Sequence, residues 1–432
     1  MVIDEIVETV EAIPDPYLRA TTYAKIAERL AKINDKRFKP VFIRAIEASK
    51  RIDDPARLMR ALLSIGYSMA KSGLRTSKKV YQRVVEDSKS LPAPVRDELM
   101  ALAARYMLGL GEISEAIYYA GEIKSEELRD TVLLQVIRRN TALIGLEKVK
   151  VAYRIRKSKM ALEMIHSEPS RSKALIEIMK SYLIMGSYEN GINVIKEIEL
   201  REWAKHAFKE ALFFLKEYGV LERYVIPLKE LAKELVEKFG EAFKIELAIA
   251  FALAGESHEA ADLMRKLDGE ELLVEASLRL LDVSPKHLAD LIRALNDREA
   301  AVVGKAVMNR FLENPEKGDW EVVRAIWERT ENEEVMVKII RYSLIRGDVE
   351  GAMRVAGRIR SERLRSIALA DIAHSLLKLG DISRAIDVAL EVRDVRFSSI
   401  LMAELLLSAT DVEIEKRVVT NGTAKGLNGK KA

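Results

Sequence analysis

Between residues 361 and 380 the chain reads SERLRSIALADIAHSLLKLG. Apolar positions at Ile367, Ala370, Leu376 and Leu377 recur at helical spacing, with charged and polar residues between them. The pattern predicts an amphipathic helix that opens at Ser361 and closes at Gly380. A second apolar stripe follows at once in GDISRAIDVALEV, residues 380–392, with Ala385 and Ala389 small enough for a close helix contact. The predicted unit is therefore helix, glycine turn, helix.

The same text occurs earlier. Residues 111–123 read GEISEAIYYAGEI, and weaker versions begin at Gly186 (GSYENGINVIKEI), Gly255 (GESHEAADLMRKL) and Gly347 (GDVEGAMRVAGRI). The five starts, Gly111, Gly186, Gly255, Gly347 and Gly380, lie 75, 69, 92 and 33 positions apart. Those gaps fit two, two, three and one units of about 31–37 residues, a period that marks stacked supersecondary units. A second phrase punctuates the first: IKSEELR (123–129), IHSEPSR (165–171) and IRSERLR (359–365), with IPDPYLR (13–19) as a variant.

Each position in these phrases has a physical reading. Ser125, Ser167, Ser361 and Asp15 are residue types whose side-chain oxygen caps a free amide in the first turn of a helix. The acid or proline that follows suits that turn, through the helix dipole and the amide already left unpaired. The isoleucine before the cap is placed to pack down on the new helix. Glycine at the turn adopts the left-handed conformation that ends a helix. One helix pair cannot bury both of its faces, so copies must stack.

On these residues the chain resembles the tetratricopeptide repeat family. LADIAHSLLKLGDISRAIDVAL (369–390) matches its pattern at Leu369, Ile372, Ala373, Leu376, Gly380 and Ala385, and Asp15-Pro16 and Asp54-Pro55 match its Asp-Pro turn. Ala389 departs from it, standing where the family usually carries an aromatic residue. The resemblance implies an all-α, right-handed α-solenoid of about ten or eleven stacked antiparallel helix pairs. It also implies partner binding on the concave face, without catalysis.

The rhythm fails in two places. Residues 199–245 read as longer helices, and residues 268–340 as short irregular ones with a polar loop at ENPEKGDW (313–320). Either is a candidate bend or sub-array boundary. The expected organisation is one solenoid over 1–412 and a disordered basic tail over 413–432.

Composition narrows the functional classes. Of 432 residues none is cysteine, which excludes disulfides, thiolate metal sites and cysteine nucleophiles. Abundant Lys and Glu, with glutamine only at Gln82 and Gln135, is the bias of hyperthermophile proteins. The start, MVIDEIVETV, is acidic where a secretion signal needs a basic flank, and no apolar run is long enough to cross a membrane. A cytoplasmic protein with no membrane partner is expected. Net charge is +4, most of it in the tail, so the body is nearly neutral and disfavours a surface built to grip nucleic acid phosphates.

Little in the sequence points to catalysis. The five histidines (His166, His206, His258, His287, His374) are never three or four apart, so no helical metal pair exists, and no phosphate-binding glycine loop is present. No cofactor, metal or catalytic residue is expected. One segment stands out: EKVKVAYRIRKSKMALEMI (147–165). On a helix, Val151, Ile155, Leu162 and Ile165 form its buried stripe. Lys150, Arg154 and Lys157 line one flank, Lys148 and Lys159 the other, and Arg156 the back. That set is a candidate anion- or partner-binding patch, with Tyr153 its one aromatic. A second set, Arg354, Arg358, Arg360, Arg363 and Arg365, reads as inter-repeat ion pairing. The three tryptophans (Trp203, Trp320, Trp327) read as core, with an exposed Trp320 as a contact residue if the loop leaves it free. The expected function is a non-enzymatic scaffold for a protein or peptide partner. The alternative is an RNA- or ribosome-associated factor using residues 148–159 and the tail. Partner identity and oligomeric state are not encoded in any of these patterns.

Overall fold

A computed structural model describes residues 2–146, 150–267, 269–393, 398–407 and 410. Lys148 and the expected tail at 413–432 lie outside the described residues. Among the described residues there is no strand.

The chain divides into two compact units, Met1–Tyr224 and Val225–Ala432, with the division inside one helix. The first unit opens with α1 (Val2–Thr9), α2 (Pro16–Lys32), α3 (Phe38–Ser49), α4 (Pro55–Lys71) and α5 (Ser77–Ser88). It continues with α6 (Ala93–Leu110), α7 (Ile113–Gly121), α8 (Glu126–Leu146), α9 (Val151–Glu163), α10 (Ser170–Ile184), α11 (Tyr188–Val194) and α12 (Arg201–Glu217). The division falls in α13 (Leu221–Phe239). The second unit holds α14 (Lys244–Leu253), α15 (Ser257–Arg265), α16 (Glu270–Val283), α17 (Pro285–Ala294) and α18 (Asp297–Glu313). After these come α19 (Trp320–Arg329), α20 (Glu333–Ile345), α21 (Val349–Ala356), α22 (Glu362–Lys378), α23 (Ile382–Leu390) and α24 (398–407).

Packing follows a simple rule in each unit. In the first, α2, α4, α6, α8, α10 and α12 stack in a row, and α3, α5, α7, α9 and α11 each pack on the helix before them. In the second, α14, α16, α18, α20 and α22 form the row, and α15, α17 and α19 also stack on one another. Ten helix pairs, α2–α3 to α10–α11 and α14–α15 to α22–α23, thus repeat one motif, with α12 and α13 between them.

The turns inside the pairs explain the repeated phrase. Gly111, Gly186, Gly255, Gly347 and Gly380 all have φ of 79–83°, a region open to glycine and costly for other residues. In each, the residue after glycine donates its N–H back to a carbonyl of the closing helix, as from Glu112 to Met107 and from Asp381 to Leu376, both at 3.0 Å. The same turn occurs at Gly73, Gly219 and, with asparagine in the left-handed position, Asn34. These three carry no recognisable copy of the phrase.

The turns between pairs follow the second phrase with one correction. Asp15, Asp54, Ser125 and Ser361 accept from first-turn amides of the helices that follow them. Ser167 does not cap. Its hydroxyl donates to the buried Asp130 carboxylate, and α10 starts only at Ser170. Glu168 takes over, accepting from the Ser172 amide at 3.2 Å and the Ser172 hydroxyl at 2.8 Å. The phrase also contains an element that its spacing alone does not reveal. Its arginine reaches back to the carbonyl of its own isoleucine, Arg19 to Ile13 at 2.9 Å and Arg171 to Ile165 at 3.3 Å. The isoleucines Ile123, Ile165 and Ile359 are buried. Regular helix pairs, left-handed turns and row stacking together define the architecture. Each unit is an all-α helical-repeat array of stacked antiparallel helix pairs.

Candidate functional site

Ion pairs link successive helices along each row. Successive row helices are joined by Asp15–Arg57 (2.8 Å), Arg60–Glu98 (2.6 Å), Arg138–Glu177 (3.9 Å) and Lys180–Glu210 (3.2 Å) in the first unit. The second has Glu246–Arg279 (2.8 Å), Glu270–Arg298 (2.7 Å), Lys305–Glu334 (3.4 Å) and Arg341–Asp371 (2.8 Å). Except for the buried Glu246–Arg279, these pairs are at least partly exposed and contribute at most about 1 kcal/mol each. Their consequence is chemical, because a cation already facing a carboxylate has little left for a ligand.

Helix α9 is different. Lys150, Arg156, Lys157 and Lys159 make no ion pair among the described residues. Ile155, Leu162 and Ile165 are buried and Val151 is half-buried, so the apolar stripe holds the helix on its neighbours. Lys150 precedes the helix in the left-handed conformation at φ 62°. Arg154 is half-buried, and its carbonyl accepts from Asn140 on α8. Helical spacing places Arg156 on the back of the helix, apart from Lys157, yet both approach one ring. The Arg156 guanidinium lies 5.9 Å and the Lys157 ammonium 5.6 Å from the centroid of Tyr153. They do so because residues three and four apart on a helix are neighbours. Tyr153 is 39% exposed, and its hydroxyl is 3.0 Å from that of Ser114 on α7. Lys159 faces another ring, 5.5 Å from Tyr182. The strip can attract an anion and offer it an aromatic face.

The second unit carries a cleft of about 310 Å³ over α19, α20 and α21. Two of its walls are tryptophans. Trp320, 41% exposed, packs edge-on against Tyr342, with centroids 5.2 Å apart. Tyr342 is fully buried beside Phe311, and Gly318 passes so close that any side chain there would strike its ring. Burial pushes the Tyr342 phenol upward from its ordinary pKa. Trp327 is half-buried. The Arg358 guanidinium covers its ring at 5.5 Å and donates to its backbone carbonyl at 3.3 Å. The indole N–H of Trp327 is buried and has no acceptor among the described residues.

The cleft's acids are engaged and its cations only partly so. Glu321 is bound by Arg293 at 2.5 Å, and that hydrogen bond holds its carboxyl below the usual range. Asp348 accepts from the Gly351 amide at 2.8 Å, capping α21. Arg324 shares Glu328 at 3.4 Å with Arg293, and Arg354 makes no ion pair among the described residues. The expected ion pairing of the second arginine set thus takes another form at Arg358, which uses a carbonyl and an indole face. Sequence reasoning marked Trp320 and Arg354 separately. Their separation of 34 positions is one repeat period, but residue 320 lies in the irregular stretch 268–340, and only the structure shows that α19 and α21 bring them to one cleft.

Among the described residues no group of three or more His, Asp or Glu is placed to hold a metal ion. No described helix is long and apolar enough to cross a membrane. No protein-family model matches the chain, and no curated protein matches it. Solved structures do, weakly. Ton1535 from Thermococcus onnurineus NA1 is 17% identical over 93% of this chain and 94% of its own, with a TM-score of 0.22. A circular tandem repeat protein is 15% identical over 97% and 100%, with a TM-score of 0.25. The Cut9–Hcn1 hetero-tetramer of the APC/C matches at 13% identity over 95% and 86%, with a TM-score of 0.22.

Proposed function

We propose that the protein is a non-enzymatic, cytoplasmic interaction scaffold that holds a protein or peptide partner. The observation that carries this reading is the contrast in charge and exposure. Ion pairs link successive row helices, while a cleft walled by Trp320 and Trp327 leaves open aromatic surface and Arg354, which makes no ion pair among the described residues. Half-exposed tryptophan and arginine are the side chains most often found to dominate binding energy at protein interfaces. The test is affinity capture of the tagged full chain from native lysate, split into nuclease-treated and untreated halves. A defined protein partner that survives nuclease supports the scaffold. Turnover by the purified chain on a metabolite panel would sink it.

A second reading has its own observation, the cations Arg156 and Lys157 beside Tyr153 on α9, which make no ion pair among the described residues. On that reading the protein binds RNA through α9, with electrostatic attraction supplying affinity and the tyrosine a stacking face. Changing Arg154, Arg156 and Lys157 to Glu should then abolish RNA retention at low salt. Unchanged retention removes this reading.

A further inference from the structure

We infer that the cleft over α19–α21 is the anchor site for a partner segment that sets a large apolar or aromatic side chain beside a carboxylate. The inference rests on the scaffold reading and specifies the chemistry of what is held. Three features point to it. At about 310 Å³ the cleft suits one large side chain rather than a folded surface. Its walls, Trp320, Trp327 and Val323, offer apolar contact for that side chain.

Its polar requirement is an acceptor. Arg354 has no carboxylate partner among the described residues, and Arg324 has only a share of Glu328. The buried Trp327 N–H has no acceptor either, and such a group costs free energy until one is supplied. The acids nearby do not meet this need, since Glu321 is held by Arg293 and Asp348 caps α21. A cationic partner would meet Arg324 and Arg354 without compensation, and a neutral apolar one would leave the donors as they are. A carboxylate on the incoming segment satisfies the guanidinium in a charge-assisted, bidentate geometry.

The site lies between α19 and α21, each the second helix of its pair, and above α20. It is therefore separate from the paired charges of the row α18, α20 and α22. Gly351 is needed at its floor, because a β-carbon there would displace the Asp348 cap.

The experiment is selection from a displayed library of random nine-residue peptides on the full chain carrying Trp203→Phe, which removes the tryptophan outside the cleft. The expected result is enrichment of an aromatic or branched aliphatic residue next to Asp or Glu. The best enriched peptide should change tryptophan fluorescence on titration. Its affinity should fall at least tenfold with Arg354→Gln, and equally when its own acid becomes the amide. Trp327→Phe, which removes the N–H together with the five-membered half of the indole, should weaken it by about threefold or more. Circular dichroism of each variant should match the parent. Enriched peptides without an acid, or binding unmoved by Arg354→Gln, overturn the anchor site but leave the scaffold standing. No enrichment at all also overturns the anchor site, and the lysate capture then decides the scaffold separately.

Discussion

The carboxylate of Asp97, on α6, accepts the backbone N–H of Ser125 at 2.7 Å and that of Lys124 at 2.9 Å, just before α8 begins. Asp130 on α8 repeats this one unit later, accepting from Ser167 at 2.8 Å and His166 at 3.2 Å. Glu333 on α20 does the same for Arg360 at 2.7 Å and Ser361 at 3.1 Å. Each acid sits near the start of one row helix and binds the turn that launches the next. The clamp fixes where each pair begins relative to the one before it.

Loss of the clamp should therefore be expensive. Asp97→Ala strands two amides in a turn packed against the protein, and about 2–3 kcal/mol of stability should go with it. Urea unfolding of the full chain measures this. Amide exchange at Ser125 should accelerate at the same time, and an unchanged rate would mean the clamp contributes nothing there.

The turn glycines make a second prediction. No atom lies within 4 Å of a β-carbon built at Gly111, so Gly111→Ala meets only the backbone penalty of positive φ, about 1–2 kcal/mol. Gly111→Asn should cost less, because Asn34 already occupies the equivalent place at φ 57°. Thermal melts of the two variants, compared with the parent, should rank them in that order.

A third prediction concerns the buried pair Glu246–Arg279, joined at 2.8 Å between α14 and α16. Arg279→Met alone leaves a buried carboxylate uncompensated and should destabilise by about 3–5 kcal/mol. Glu246→Leu combined with Arg279→Met should recover most of that loss. A double-mutant cycle in urea checks it, and additive losses would show that the two side chains are not coupled.

Acid provides the fourth. Hydrogen bonds from the Arg37 side chain and amide hold the Asp35 carboxyl at about 2. A carboxyl depressed in the folded state stabilises fully above its unfolded value, roughly 4, and that contribution is lost as pH falls toward about 2. Asp35→Asn should flatten the pH dependence of stability in that window and leave it unchanged near neutrality. Chemical denaturation of both proteins at several pH values between 2 and 5 is the measurement.

The sequence by itself determined the local structure. Helix stripes, the turns at Gly111 and Gly380 and the caps at Asp15 and Ser361 are set by residues within a few positions of one another. Short-range backbone chemistry is therefore enough to read them. Even there Ser167 escaped, because a buried acid 37 residues away competes for its hydroxyl. Arg-Asp recurs at 96–97 and 129–130, but Glu333 does the same work after Asn332, so the clamp is not legible without the stacking of rows. Tertiary structure alone decided which cations are neutralised and which are left free. It joined Arg341 to Asp371, left Lys157 beside Tyr153, and brought Arg354 to the same cleft as Trp320. The reason is physical. A helix face fixes the direction of a side chain, but its electrostatic partner belongs to the neighbouring repeat, and the register of that neighbour is set by packing.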